Sequence, residues 1–122
     1  MLKGIVNLSG EPLVKTILLS INGRQYGHDA IIDTGFNGSL SIPEKLAKRY
    51  QWKWAGYESY EVATGDIVQQ NIYLGYIAWF GKNQEVYAVS THSRDILIGT
   101  SLLVSQKLTI NFKKRTLLLN FA

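Results

Sequence analysis

The sequence lacks several residue types and segments whose absence limits what the protein can be. Its 122 residues include no cysteine, two prolines and one methionine. Without cysteine there is no disulfide, no catalytic thiolate and no cysteine-ligated zinc, which fits a reducing compartment. No apolar run approaches the ~20 residues of a membrane-spanning helix, and the apolar part of "MLKGIVNLSGEP" is too short for a signal peptide. We therefore expect a cytoplasmic protein with no membrane partner.

Charged residues are also few, at 18% of the sequence. The formal net charge is +4, and the basic residues are spread along the chain from Lys3 to Arg115. Their densest group, "KKR" at 113–115, lies between "LTINF" and "TLLLNF", which are two predicted strands. This placement predicts a charged hairpin turn, because a nucleic-acid footprint needs basic residues clustered on one face. Nucleic acid is therefore not an expected partner.

Apolar and aromatic residues are plentiful, with 46% hydrophobic residues that include seven Tyr, four Phe and three Trp. This content is enough to bury a core, and the length predicts a single domain over residues 1–122. Short segments rich in β-branched and aromatic residues alternate with turn signals such as "SGEP", "NGR", "FNG", "TGD" and "GKNQ". The sequence therefore predicts a mainly-β domain.

Two segments have helical rather than strand spacing. "PEKLAKRY", at 43–50, predicts a short helix with Pro43 as its first helical residue. "TSLLVSQ", at 100–106, predicts a second helical turn capped by Thr100 or Ser101. Each follows an apolar strand that ends in glycine, "DAIIDTG" and "RDILIG", so the chain has the pattern of two copies of one strand-strand-helix unit. Only the first copy has an acid at its turn, Asp33.

The combination of "IIDTG", "GSLSIP", "ILIGTSLL" and a hairpin candidate between them resembles the retropepsin-like aspartic proteases, in particular their single-domain prokaryotic type. The resemblance covers most of the chain. It implies the acid protease fold, a mainly-β, single-lobe, closed β-barrel with one or two short helices. It also implies an aspartic endopeptidase that acts on peptide or unfolded protein, with no metal and no cofactor.

The chemistry implied by this resemblance needs two acids at one point. One carboxylate takes a proton from water while a second, protonated carboxyl group donates a hydrogen bond to the peptide carbonyl oxygen. Two like charges about 3 Å apart cannot both ionise cheaply, so the pair shares one proton. The other aspartates, Asp29, Asp66 and Asp95, do not precede Thr-Gly or Ser-Gly. The dyad therefore requires Asp33 from each of two chains, in an obligate homodimer.

The resemblance assigns further roles by position. Thr34 would bond the backbone of the opposite subunit, and Gly35 would permit the turn. Leu97, Ile98 and Gly99 would pack under the turn as structural support.

A flap over the substrate is expected in "SYEVATGDIVQQNIYLG", at 59–75, with Thr64, Gly65 and Asp66 at its tip. Phe36 and Asn37, which directly follow the Asp-Thr-Gly motif, are expected at the substrate pocket.

The chain departs from retroviral members of the family at two linked positions. These enzymes have an acid shortly after Asp-Thr-Gly and an arginine after the second glycine, whereas this chain has Phe36, Asn37 and Gly38 in the first place and Thr100 in the second. Losing both partners of an ion pair is self-consistent, because losing one would leave a buried unpaired charge.

Some features of the sequence are also compatible with functions and sites other than those of a protease. A catalytically silent dimer of the same fold, acting as a peptide- or nucleic-acid-binding module, is the alternative function. His28, His92 and the aspartates near them lack the close spacing of metal ligands, so no metal site is expected. Trp52 and Trp54 predict a strand with one side packed in the core. The strand "RTLLLNF" is a candidate for the subunit interface, on the expectation that its edge is unpaired.

Overall fold

The structure is a computed structural model that describes residues 1–122, and it consists mainly of strands. Strands account for 58% of the residues and helices for 8%, which confirms the mainly-β prediction. The strands are β1 Leu2–Val6, β2 Pro12–Leu19, β3 Gln25–Ile32, β4 Leu40–Pro43, β5 Lys53–Glu61, β6 Ile67–Trp79, β7 Lys82–Thr91, β8 Leu97–Ile98, β9 Gln106–Asn111 and β10 Thr116–Phe121. The helices are α1 Glu44–Arg49 and α2 Thr100–Leu103. Neither helix is long and apolar enough to cross a membrane.

All ten strands belong to one sheet, in the order β5-β6-β7-β4-β8-β3-β2-β1-β10-β9, and an additional pairing of β2 with β6 closes its central part into a ring. β3 and β8 run parallel, with Ile31 opposite Leu97 and Ile32 opposite Ile98. β4 lies between β8 and β7, antiparallel to the first and parallel to the second. The carboxyl ends of β3 and β8 and the start of β4 therefore meet at one edge, which is where Asp33 and Gly99 lie.

A core of 18 buried residues is formed by the strands of this ring together with residues from α1, β10 and the segment after α1. Trp52 belongs to it: its indole N–H donates to the Leu19 carbonyl at 2.8 Å. Its ring lies flat on Gly75, where an added Cβ would come within 2.3 Å of the ring. Trp54 is 55% exposed and donates to Asn71 Oδ1 at 3.1 Å. The prediction that this side of the segment packs in the core is confirmed for Trp52 and wrong for Trp54, because β5 begins only at Lys53 and Trp54 lies at the surface.

The residues at the start of both helices have different roles from those that the sequence predicts. Pro43 is not the first helical residue: it pairs with Thr91 as the last residue of β4, and its ψ of 133° is extended. The residue that precedes α2 is Gly99, with ψ of 177°, so neither Thr100 nor Ser101 caps this helix. α2 also ends at Leu103 rather than at residue 106, because β9 begins at Gln106 and pairs with β10.

The two carboxyl-terminal strands form the predicted hairpin, and residues 112–115 make its turn. The Lys114 N–H donates to Asn111 Oδ1 at 2.9 Å, and Arg115 Nε donates to the Val6 carbonyl at 2.9 Å. β10 is paired on both sides, with β1 and with β9. The expectation that "RTLLLNF" has an unpaired edge is therefore wrong, and β9 is the edge strand at this end of the sheet.

Candidate active site

Asp33 lies directly after β3, in a turn whose backbone is hydrogen-bonded to β8. The Ile31 N–H donates to the Ile96 carbonyl at 2.8 Å, and the Asp33 N–H donates to the Ile98 carbonyl at 2.9 Å. The Asp33 side chain is half-exposed, and its Oδ1 accepts a hydrogen bond of 2.9 Å from the Gly35 N–H. The turn thus presents a carboxylate with one oxygen held by the backbone.

The residues after this turn are fastened to the start of α2. Backbone N–H groups of Gly99, Thr100 and Ser101 donate to the carbonyls of Ser39 (3.0 Å), Phe36 (2.9 Å) and Gly38 (3.2 Å) in that order. These three bonds give the Asp33 turn a rigid support.

Gly99 can only be glycine here. A Cβ at this position would lie 2.0 Å from the Gly38 carbonyl oxygen and 2.7 Å from both the carbonyl oxygen and the ring of Phe36. The close approach of two backbones therefore explains the second glycine of the predicted pattern.

Ser101 is a site residue that the sequence interpretation missed. Its hydroxyl donates a hydrogen bond of 2.6 Å to the Asn37 carbonyl. Asn37 and Thr100 occupy the positions where retroviral proteases have their acid and arginine, and the bonds from Thr100 and Ser101 connect the same two segments without charge. The only signal in the sequence was a hydroxyl residue at the start of a predicted helix, which indicated a cap.

Phe36 packs within its own loop. Its ring covers Gly38, where an added Cβ would lie 2.6 Å from Cζ. Leu97 and Ile98 lie beside the Asp33 turn, with Ile98 fully buried and Leu97 half-buried. The structure therefore brings Phe36, Asn37, Leu97, Ile98 and Gly99 together around Asp33, and their roles toward a substrate stay predictions.

An open groove borders the Asp33 turn. It has a volume of about 650 Å³ and is lined by Thr34, Thr100, Ser101, Leu103, Val104 and Leu108. Val104 is 85% exposed, and Thr34 and Gly35 are exposed as well. Concentrated apolar surface of this kind is typical of an interaction site.

The predicted flap is a hairpin in the structure. Its arms, β5 and β6, extend further than predicted, to Lys53 and Trp79. Gly65 has a positive φ of 88°, and the Val62 N–H donates to the Asp66 carbonyl at 2.9 Å, so the tip lies where the sequence predicts it. Thr64 Oγ1 donates to Asp66 Oδ2 at 3.1 Å, and no hydrogen bond joins the tip to the Asp33 turn within the subunit.

A polar cluster at the base of this hairpin was not predicted. Glu44, the first residue of α1, accepts hydrogen bonds from Ser90 at 3.2 Å and from Asn71 and Tyr73 at 3.4 Å. Burial alone would raise the pKa of Glu44, but the hydrogen bonds from Lys48, Ser90 and Asn71 outweigh it and hold the pKa below its usual value. The cluster lines a cavity of about 340 Å³ and joins α1, β6 and β7. No local pattern signals it, because its members come from three separate elements.

His28 makes a partly buried contact of a different kind. Its Nε2 lies 2.6 Å from the hydroxyl of Tyr50, which is 2% exposed and stacks on Tyr26. Burial, and then the positive charge of Arg49, lower the pKa of His28. No group of three or more His, Asp or Glu side chains is placed to hold a metal ion.

The solved structures that are similar to this one include two proteases. A retropepsin-like aspartic protease from Rickettsia conorii matches with a TM-score of 0.68 and 19% identity, over 98% of this chain and 89% of that chain. The simian foamy virus (mac) protease matches with a TM-score of 0.55 and 16% identity, over 74% of this chain and 91% of that chain. No family model and no curated protein matches the sequence. The chain has a retropepsin-like fold, as predicted.

Proposed function

We propose that this chain is an aspartic endopeptidase that hydrolyses peptide bonds as a homodimer, with Asp33 of both subunits as its catalytic dyad. The observation that carries the proposal is the position of Asp33, in an exposed turn fixed by β8 and bordered by an open apolar groove. The proposal is also supported by the retropepsin-like fold, since two of the solved structures that are similar to it are described as proteases.

The groove supports a second copy of the chain as its occupant. Each chain supplies one Asp-Thr-Gly turn, so the chemistry is incomplete without a second copy. Thr34 lies on the groove wall, where its hydroxyl can bond the backbone of the partner's turn. Leu103, Val104 and Leu108 supply the apolar surface that association would remove from water.

The dyad needs no metal and no covalent intermediate. The ionised carboxylate takes a proton from water as the water oxygen attacks the carbonyl carbon, and the protonated one gives its proton to the carbonyl oxygen. The resulting tetrahedral intermediate collapses when the carboxyl group that took the proton from water passes it to the amide nitrogen and the carbon–nitrogen bond breaks. A hydroxyl proton of the intermediate returns to the other carboxylate, so the dyad again holds one proton. The Gly35 N–H holds Oδ1 of each Asp33 during these steps.

The proposed substrate is an extended peptide or unfolded protein. The β5–β6 hairpin would cover it as a flap, with Thr64, Gly65 and Asp66 at the tip. Phe36 and Asn37 would contact it from the side of the dyad.

The test is the isosteric substitution Asp33→Asn. It removes the ionisable group with little change in shape, so we expect kcat on an unfolded protein substrate to fall at least about a thousandfold, while sedimentation shows the parent's dimer. Asp29→Asn is the matched control, because Asp29 pairs with Lys15 on the surface and should leave activity unchanged. We also expect a statine-type transition-state mimic to inhibit the parent.

Two results would contradict the proposal. Full activity of Asp33→Asn would exclude the dyad mechanism. A parent dimer that binds the statine-type peptide but cleaves no substrate would instead be the catalytically silent peptide-binding module.

A further inference from the structure

The positive charge of the chain is concentrated on three neighbouring strands. β1, β10, β9 and the turn between the last two contain five basic side chains and no acidic one: Lys3, Lys107, Lys113, Lys114 and Arg115. The rest of the chain has eight basic against nine acidic side chains. This separation of charge is not visible in the sequence, because Lys3 comes close to the other four basic residues only when β1 pairs with β10.

Two of these lysines lie on one face of the sheet. On β9 the exposed residues alternate, so Lys107 and Thr109 point away from the core while Leu108 packs toward it. Thr109 is opposite Leu118, and Leu118 is opposite Lys3. Lys3 and Lys107 therefore project from the same outer face of these three strands, which we call the basic terminal sheet.

A shallow cavity of about 470 Å³ lies on this face. Its polar side chains are two ammonium groups, two hydroxyls and one amide, and none is a carboxylate: Lys3, Lys114, Thr109, Thr116 and Asn111. These side-chain types are the ones that contact the phosphate oxygens of nucleic acids.

The charges of this face are not neutralised by neighbours. Neither ion pair of the structure involves the basic terminal sheet. In the neighbouring strand β2, Lys15 pairs with Asp29 of β3 at 2.9 Å. The surface with unpaired positive side chains therefore does not extend beyond β1. The nearest acid along the chain from β1, Glu11, accepts a hydrogen bond from Asn7 at 3.0 Å in the β1–β2 turn.

We propose that the basic terminal sheet binds the phosphate backbone of a single nucleic-acid strand. The cavity has no aromatic side chain on which a base could stack, so binding rests on contacts to phosphate, which carry no sequence information. Its two apolar side chains are Leu117, which is 2% exposed, and Leu118, which is half-buried, so neither protrudes as a side chain that inserts into a membrane surface does.

The proposed dimer leaves this surface accessible. Leu108 lines the groove beside Asp33, whereas Thr109 lines the cavity on the opposite side of β9. Binding of nucleic acid is therefore compatible with an assembled dyad and does not depend on catalysis.

The test measures how a fluorescent oligothymidylate binds to the full chain as salt is raised. Three lysines at the face, Lys3, Lys107 and Lys114, predict a plot of log affinity against log salt with a slope of about −2. Each substitution of one of them by glutamine should weaken binding and reduce the slope by about 0.7. The triple variant should lose salt-dependent binding.

The matched control carries Lys45→Gln, Lys53→Gln and Lys82→Gln, which remove the same net charge from α1, β5 and β7. It should bind as the parent does. Equal loss in both triple variants, or no binding by the parent at low salt, would overturn the proposal. Binding to phosphatidylcholine vesicles that contain phosphatidylserine, without binding to the oligonucleotide, would assign the face to a membrane and overturn it as well. Asp33→Asn should bind the oligonucleotide normally, which separates this proposal from the catalytic one.

Discussion

The close contact of two backbones at Gly99 leads to a testable consequence at the scale of one residue. Gly99→Ala would place a Cβ 2.0 Å from the Gly38 carbonyl oxygen, and backbone atoms cannot move apart without disturbing the bonds from α2 to the Asp33 loop. We expect the free energy of unfolding to fall by about 2 kcal/mol or more and activity to fall with it. Urea unfolding and peptide cleavage measure the two effects. Gly27→Ala is the control, since a Cβ there meets nothing within 4 Å; equal stability of both variants would contradict the steric explanation.

The contact between His28 and Tyr50 predicts a pH dependence of stability. Burial, and then the charge of Arg49, hold the pKa of His28 in the folded state below its usual value of 6.5. Below pH 6.5 the unfolded chain therefore binds a proton that the folded chain does not, so this residue lowers the free energy of unfolding as pH falls toward the folded-state pKa. Above pH 6.5 it contributes no pH dependence.

His28→Gln tests this sign. Glutamine can accept the Tyr50 hydroxyl bond but does not titrate, so we expect the variant to lose less stability than the parent between about pH 7 and about pH 5.5. Urea unfolding at both pH values measures the difference. An unchanged pH dependence would show that His28 does not hold its neutral form in the fold, and His92→Gln, at an exposed loop position, is the control.

At the scale of elements, the sequence predicts what local patterns determine. The tip of the β5–β6 hairpin follows from "TGD", and the β9–β10 turn follows from "KKR" between two apolar runs. The helix starts were wrong because they depend on distant pairings: β7 holds Pro43 in a strand, and the Asp33 loop binds the start of α2. The cluster around Glu44 was missed for the same reason, since α1, β6 and β7 meet only in the fold.

The connection between α2 and the Asp33 loop can be tested at Ser101. Ser101→Ala removes the hydrogen bond to the Asn37 carbonyl, which is worth about 1 kcal/mol. Because Ser101 positions the loop and does not reach the substrate in the proposed mechanism, we expect kcat to fall about tenfold with little change in KM. Because Ser101 also lines the groove, both kinetic constants are measured at protein concentrations where all of the chain is dimeric.

Ser101→Thr separates the hydrogen bond from the rest of the side chain. Threonine keeps the hydroxyl, so this variant should retain most of the parent's kcat, and Ser105→Ala, in the segment between α2 and β9, is the control for loss of a nearby hydroxyl. Equal impairment of the alanine and threonine variants would mean that the hydrogen bond is not what positions the loop.

At the scale of the whole molecule, β9 separates two surfaces with different properties. Leu108, on one side, belongs to the groove beside Asp33, and Thr109, on the other, belongs to the basic terminal sheet. Neither surface was predictable from the sequence, because each combines residues from distant segments, such as Thr34 with Val104 or Lys3 with Lys114. The retropepsin-like fold itself was predictable, since "IIDTG" and "ILIG" indicate the two parallel strands that hold the site.

Val104 gives the sharpest test of assembly, because it is 85% exposed in the subunit and lines the groove. In a two-fold dimer, Val104→Asp would place one carboxylate from each subunit in the interface. It would also remove the burial of two valine side chains, which is worth about 1.5 kcal/mol each. We therefore expect the dissociation constant of the dimer to rise at least about a hundredfold, and peptide cleavage to fall at low protein concentration and recover as the concentration is raised.

Sedimentation and peptide cleavage, both measured across a dilution series, report dissociation of the dimer and loss of activity in the same samples. Leu8→Asp is the control: Leu8 is 90% exposed in the β1–β2 turn and does not line the groove, so the same change in charge should leave mass and activity unaltered. If Val104→Asp stays dimeric and active, the groove is not the subunit interface. If the parent cleaves peptide as a monomer at every concentration, two copies of Asp33 are not needed for catalysis, and the apolar groove must have another occupant.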